Sequence, residues 1–174
     1  MSVFQNVVSY YSKAYVSSTG SLDQDIQSAG ANVDMIFSPS TDATDITTLA
    51  NSNTIQGNLN GGNFVLQEVG FYLFQFVFTF SGAESNNYIV TAFKNDVEID
   101  ASQVQFTTRG SGVQWEVAMT FLVDAGYNEY EQPAAQMNKG LMRSTNLIQF
   151  KCQNSGGAGD LTIENGLYNI LKIN

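Results

Sequence analysis

The sequence contains no histidine, a single cysteine and two prolines in 174 residues. Without histidine, Ser-His-Asp and Cys-His catalysis are removed, along with the commonest zinc ligand. Cys152 has no second cysteine to pair with in the chain, so the fold needs no disulfide and no oxidising compartment. In its strand-like surroundings it reads as a small buried hydrophobe, with a reactive thiol as the other reading. Basic residues are scarce too. Seven Lys and Arg stand against 16 Asp and Glu, giving a net charge of −9, and no stretch gathers the cations into a patch that could neutralise phosphates. Direct nucleic-acid binding is therefore disfavoured. No run approaches the roughly 20 apolar residues of a membrane span, so membrane insertion is not expected. The opening MSVFQNVVSYYSKAY lacks the basic start and apolar centre of a secretion signal, and export, where it occurs, is expected by another route.

Chemistry-bearing motifs are equally sparse. No Gly-x-x-x-x-Gly-Lys-[Ser/Thr] is present, and no Gly-x-Gly-x-x-Gly follows a strand and opens a helix; Gly156, Gly157 and Gly159 fall in a turn between two strand-like segments. The acids are dispersed like those of a solvated surface. Asp23 with Asp25, and Asp42 with Asp45, read either as turn acids or as oxygen donors to calcium, and neither pair matches an EF-hand loop. The expectation is a protein without cofactor, metal or catalytic residues.

What the chain has is apolar and aromatic material cut into short pieces. Hydrophobic residues make up 43%, including 12 Phe and 8 Tyr, which is ample for one core, and the length fits one domain. Only 13% is charged, so the solvent face must be built from Ser, Thr, Asn, Gln and Gly. Fifteen glycines, with Asn, Ser and Thr throughout, punctuate the sequence as turns punctuate an all-β fold.

The central segment FYLFQFVFTF, Phe71 to Phe80, is the strongest strand signal. Alternation sends Tyr72, Phe74, Phe76, Phe78 and Phe80 to one face and Phe71, Leu73, Gln75, Val77 and Thr79 to the other. Both faces are mostly apolar. A sandwich strand needs one apolar face, so the second is expected to be covered as well, by a loop or by another subunit. Phe71, Tyr72, Leu73, Phe74, Phe76 and Phe78 are the candidates for core or subunit contact, with the division between the two left open.

NYIVTAFK, a tight turn at Asn95 and Asp96, and VEID read as a hairpin. Further strands are expected at Asn32 to Phe37, near Thr54 to Gln56, at Phe64 to Leu66, Val104 to Thr108, Val113 to Val123 and Leu147 to Cys152, and in LTI and LYNILKI, roughly eight to ten in all. Residues 1–30 are expected to stand apart from a domain spanning 31–174. They read as an arm or anchoring segment carrying Phe4, Tyr10, Tyr11 and Tyr15, as a first helix, or as a strand added to the chain's own sheet. The stretch Asp124 to Ser144 reads as a large exposed loop, whose Tyr127 and Tyr130 could stack on a sugar, meet a partner protein or pack on their own domain.

The run GFYLFQFVFTF followed by YIVTAFKNDVEI resembles the central signature of the tumour-necrosis-factor and C1q-like jelly rolls, through Gly70, Tyr72 and Phe74, then Lys94 and Asn95. NFVLQEVGFY and LYNILKIN are similar to that family's entry into the central strand and to its closing strand. The resemblance covers roughly Asn32 to Asn174. It implies a two-sheet antiparallel jelly roll that forms homotrimers. Domains similar to it serve as secreted ligands and as decoration, head-fibre or spike proteins of viruses and phages. The function expected on that basis is a structural subunit of a virion surface, assembled in the host cytoplasm, with itself and a major capsid or other virion protein as partners. A receptor- or glycan-binding tip, and a secreted ligand or adhesin of the same fold, are the alternatives.

Overall fold

The computed structural model describes residues 8–12, 22–36, 55–58, 63–110, 112–126 and 143–173. They form an all-β sandwich of two antiparallel sheets. The first sheet runs β1 (Val8–Ser12), β12 (Leu161–Ile173), β6 (Gly70–Gly82) and β10 (Trp115–Ala125), with β2 (Leu22–Gln24) on β12 beside β1. The second runs β4 (Ile55–Asn58), β5 (Asn63–Glu68), β11 (Arg143–Asn154), β7 (Asn87–Lys94) and β8 (Val97–Glu98). β3 (Val33–Asp34) joins it on β11, and β9 (Val104–Thr107) on β7. A 3₁₀ turn at Asp100–Ser102 links β8 to β9 and lies against β10.

The connections explain why the sequence looked like a succession of isolated strands. Only β4 with β5 and β7 with β8 are adjacent as simple hairpins. The steps from β5 to β6, β6 to β7, β10 to β11 and β11 to β12 cross from one sheet to the other, and the first strand pairs with the last, which is the interleaving of a jelly roll. The β7–β8 turn has Asn95 and Asp96 both in the left-handed region, at φ 49° and 65°, as a two-residue hairpin turn requires.

Strand alternation builds the core directly. Tyr72, Phe74, Phe76, Phe78 and Phe80 of β6, together with Val117, Met119, Phe121, Val123 and Ala125 of β10, face inward and are buried. They meet Phe64, Leu66, Tyr88, Val90, Ala92, Ile148, Phe150 and Cys152 of the second sheet. The rings interlock across the gap: Phe76 lies 4.5 Å from Phe150, and Phe64 lies 5.3 Å from Tyr168, centroid to centroid. At one end, Tyr88 fastens two crossings together. Its hydroxyl accepts from Ala83 N at 3.1 Å and donates to Asp160 O at 2.9 Å, tying the β6–β7 turn to the β11–β12 turn.

Several expected elements take a different form. LTI and LYNILKI are one continuous strand, because the step between them is absorbed as a bulge at Glu164, between Ile163 and Asn165, after which Asn165 and Gly166 pair with Thr79 and Phe78. Of the strand expected over Asn32 to Phe37, Val33–Asp34 is strand and Phe37 lies outside the described residues. Met35 N still donates to Phe150 O of β11 at 2.8 Å, and the next residue is held by a side chain: Ile36 N donates to Gln24 Oε1 at 2.7 Å, and Gln24 Nε2 donates to Ile36 O at 3.1 Å. β1 and β2 both lie along β12, and Ile26 is buried in the core. The chain thus enters the sandwich before residue 30, in the manner of the sheet-addition reading.

Gly166 faces Phe78 so closely that a Cβ there would fall 2.2 Å from Phe78 Cδ1. Gly166→Ala should therefore destabilise the domain by about 1–3 kcal/mol, the usual cost of overpacking. Chemical denaturation measures it, and the loss should shrink when Phe78→Leu is added to make room.

Candidate functional site

The feature of the molecule that packing does not consume is the outer face of the first sheet. Because β6 is apolar on both sides, the residues that alternate with its core side chains form an apolar surface, extended by β10 and β12 in register. Leu122, Leu73 and Leu171 lie side by side, and beyond them Asp124, Phe71 and Ile173. Phe71 is 50% exposed and Leu122 52%, and Ile173 and Val77 are also exposed. Toward the other end the cross-strand rows become polar: Thr120, Gln75 and Asn169, and further on Glu116, Thr79 and Asn165. The outer face of the second sheet differs. It mixes the polar Gln149, Lys151, Gln153, Gln105 and Thr107 with the partly buried Val65, Ile89 and Leu147, and Phe93 there is covered by Lys151, whose Nζ sits 4.9 Å from the ring centre.

A groove of about 480 Å³ opens at the edge of the sandwich, next to the apolar end of this face. It is lined by Val97, Ile99, Leu122 and Val123, with Lys94, Asn95, Glu98 and Asp124 at its rim. Lys94 Nζ donates to the backbone carbonyl of Asp124, fixing the two edges to each other. Among the described residues none of its lining side chains is aromatic.

Chemically reactive groups do not converge. Cys152 is fully buried, and burial pushes its thiol up to about 12. Burial likewise raises the Tyr88 hydroxyl above its ordinary value, against a lowering by its hydrogen bond from Ala83. The acids singled out from the sequence are engaged locally: Asp23 accepts from Thr162 Oγ1 at 2.6 Å, and Asp25 accepts from Gln27 Nε2 at 2.9 Å. Asp160 accepts from Ile26 N at 2.9 Å. Among the described residues no three of Cys, Asp and Glu come together as a metal site would require.

No protein-family model matches the sequence, and no curated protein matches it. One solved structure that is similar is described as "CBM4 structure and function", with 16% identity and a TM-score of 0.30 over 64% of this chain and 69% of that one. That likeness is too loose to transfer a ligand or a site.

The structure separates the six candidates of the central strand. Tyr72, Phe74, Phe76 and Phe78 are core; Phe71 and Leu73 lie on the outer face. Tyr10 and Tyr11 fall in β1, opposite Ile170 and Asn169, while Phe4, Tyr15, Tyr127 and Tyr130, like Asp42 and Asp45, lie outside the described residues. Sequence reasoning missed Leu122, Leu171 and Ile173. Their signal was present in the alternation of Trp115 to Ala125 and Leu161 to Ile173, but only pairing shows that they extend the surface begun by Phe71.

The buried thiol makes an alkaline prediction. Below its ordinary value near 9, Cys152 is protonated in both folded and unfolded chains; above it the unfolded chain ionises first, so stability should fall as pH rises from 9 toward 12. Tyr88 acts in the same direction at higher pH. Denaturant midpoints measured across this range should show the fall, and Cys152→Ala should flatten its lower part. Native protein at pH 8 should resist iodoacetamide and react once unfolded.

Proposed function

We propose that this chain is a non-catalytic structural module that closes into a homotrimer through the outer face of its first sheet and serves as a surface subunit of a virus or phage particle. The observation that carries the self-association is the apolar surface of Phe71, Leu73, Leu122, Leu171 and Ile173, on which Phe71 and Leu122 stand half exposed. Contiguous exposed apolar area of this kind marks a protein contact. Phe71, Leu73, Leu122, Leu171 and Ile173 carry no charge, which favours their burial; among the described residues Asp124 lies in register beside Phe71, and Glu116 lies at the polar end of the same face.

The particle-surface part of the reading rests on the resemblance of Gly70, Tyr72, Phe74, Lys94 and Asn95 to the tumour-necrosis-factor and C1q-like jelly rolls and their use as decoration and head-fibre proteins. The anchoring segment, with Phe4, Tyr10, Tyr11 and Tyr15, includes Val8–Ser12, which is paired along β12. Co-sedimentation of the purified protein with undecorated particles tests the attachment.

Light scattering should give a mass three times the 19.0 kDa of the chain. Phe71→Asp and Leu122→Asp should each yield folded monomers whose melting lies within a few degrees of one another, because these side chains are half exposed in the subunit. Phe74→Asp should instead abolish folding, since it puts an unpaired charge into the core. A wild-type monomer overturns the reading.

A further inference from the structure

Strand β10 closes the first sheet beyond β6, and among the described residues no strand pairs with its other side. The remaining edge strands β1, β2, β3, β4, β8 and β9 run two to five residues each, whereas β10 runs 11. Long edges are ordinarily blunted by a bulge, a proline, a lysine or an inward-pointing charge. β10 has none of these. Its register with β6 is unbroken from Trp115 to Ala125, it holds no Pro, Lys or Arg, and its inward side chains, Trp115, Val117, Met119, Phe121, Val123 and Ala125, are uncharged. Lys94 marks which backbone groups lie along this edge. Its Nζ donates to the carbonyl of Asp124, which therefore points away from β6, and by alternation so do the N–H and C=O groups of Glu116, Ala118, Thr120 and Leu122. The 3₁₀ turn Asp100–Ser102 lies against β10, but among the described residues no backbone group bonds to the outward groups of those four.

The acids of β10 decide what can add there. Glu116 and Asp124 are exposed near its two ends, with Ala118, Thr120 and Leu122 exposed between them. A second copy is disfavoured by this spacing. Antiparallel pairing of two β10 strands about Thr120 sets each Glu116 opposite the other's Asp124, parallel pairing in register sets each acid beside itself, and like charges opposite one another destabilise a ladder. A strand with a cation at each end meets the opposite condition, and the net charge of −9 draws it in. We propose that β10 is a strand-addition site for an extended segment of a partner protein, continuing the antiparallel order of the sheet. That segment carries Lys or Arg opposite Glu116 and Asp124, an apolar residue opposite Leu122, and apolar or β-branched residues at the alternate positions, which lie over the edge of the core. Backbone pairing supplies the adhesion. The two acids set the register, and Leu122, near one end only, sets the direction. The site lies along the edge of the sheet and does not rest on self-association.

The probe is a synthetic peptide with capped ends, Lys-Val-Leu-Thr-Thr-Val-Ser-Val-Lys, whose binding to the full chain is read by fluorescence anisotropy. It should bind saturably. The same peptide with Glu in place of both Lys should bind about tenfold or more weakly at low salt, and the protein variant Glu116→Lys/Asp124→Lys should reverse that preference. N-methylation at the peptide's Leu and second Thr leaves its charge unchanged but removes donors to the ladder, and it should abolish binding. Thr120→Pro removes an N–H that faces the open edge, so the variant should melt within a few degrees of wild type and yet lose the peptide. By hydrogen exchange, the amides of Glu116, Ala118, Thr120 and Leu122 should exchange fast in the free protein and slow when the lysine peptide is added. Failure of the lysine peptide to bind, undiminished binding of its N-methylated form, or edge amides already protected in the free protein overturns the proposal. So does a Thr120→Pro protein that fails to fold, because its N–H then serves β6.

Discussion

Both sheets close on the ring of Phe76. It stacks along β6 with Phe74 and Phe78, meets Phe121 of β10 and Tyr168 of β12 within the first sheet, and reaches Phe64 and Phe150 of the second. Each fully buried ring contributes roughly 1.5–3 kcal/mol through area alone, and each well-placed pair about 0.5–1.5 kcal/mol more. The larger effect is geometric. Rigid rings meeting edge to face across the gap, as Phe64 does with Phe74 and Phe76, hold the sheets at a fixed spacing, which aligns β6 with β10 and β12 and sets their outward side chains in flush rows. The surface outside the first sheet is thus a by-product of the order inside it.

Much of this was legible in the sequence. Phe71 to Phe80 announced a strand apolar on both faces, and the left-handed pair Asn95 and Asp96 was readable as a tight hairpin turn, because these signals are local. What stayed hidden depended on partners far along the chain. Gly166 is unmarked by its neighbours in the sequence, and only the close approach of Phe78 shows that the position requires a residue without a side chain. Asn32 to Phe37 has the alternation of a longer strand, but the side chain of Gln24, which belongs to a strand of the other sheet, takes the hydrogen bonds of Ile36. The pairing of β1 and β2 with β12 joins the two ends of the chain, and no local pattern encodes it.

The candidate surface was half visible for the same reason. A single strand shows which of its residues share a side, and so Phe71 and Leu73 could be set against Tyr72 and Phe74, but not which side faces the second sheet. Leu122, Leu171 and Ile173 acquire meaning only through register with Leu73 and Phe71. The polar rows depend even more on register: Gln75 and Asn169 are unremarkable in sequence and become a hydrogen-bonded pair only when β6 and β12 lie side by side.

The place of β12 also bears on how the protein comes into being. Leu161–Ile173 lies in the interior of the first sheet, between β6 and the strands β1 and β2, yet it follows every other described strand along the chain. Until it emerges, β6 can pair only with β10 along one side, and β1 and β2 have no neighbour at all. The first sheet is therefore completed by insertion of its latest strand, through contacts between the two extremes of the chain, a topology that folds slowly. During that interval the nascent protein exposes a long apolar strand with an open edge, so its yield in a cell is set by how fast this closing step outruns aggregation more than by the stability of the finished sandwich.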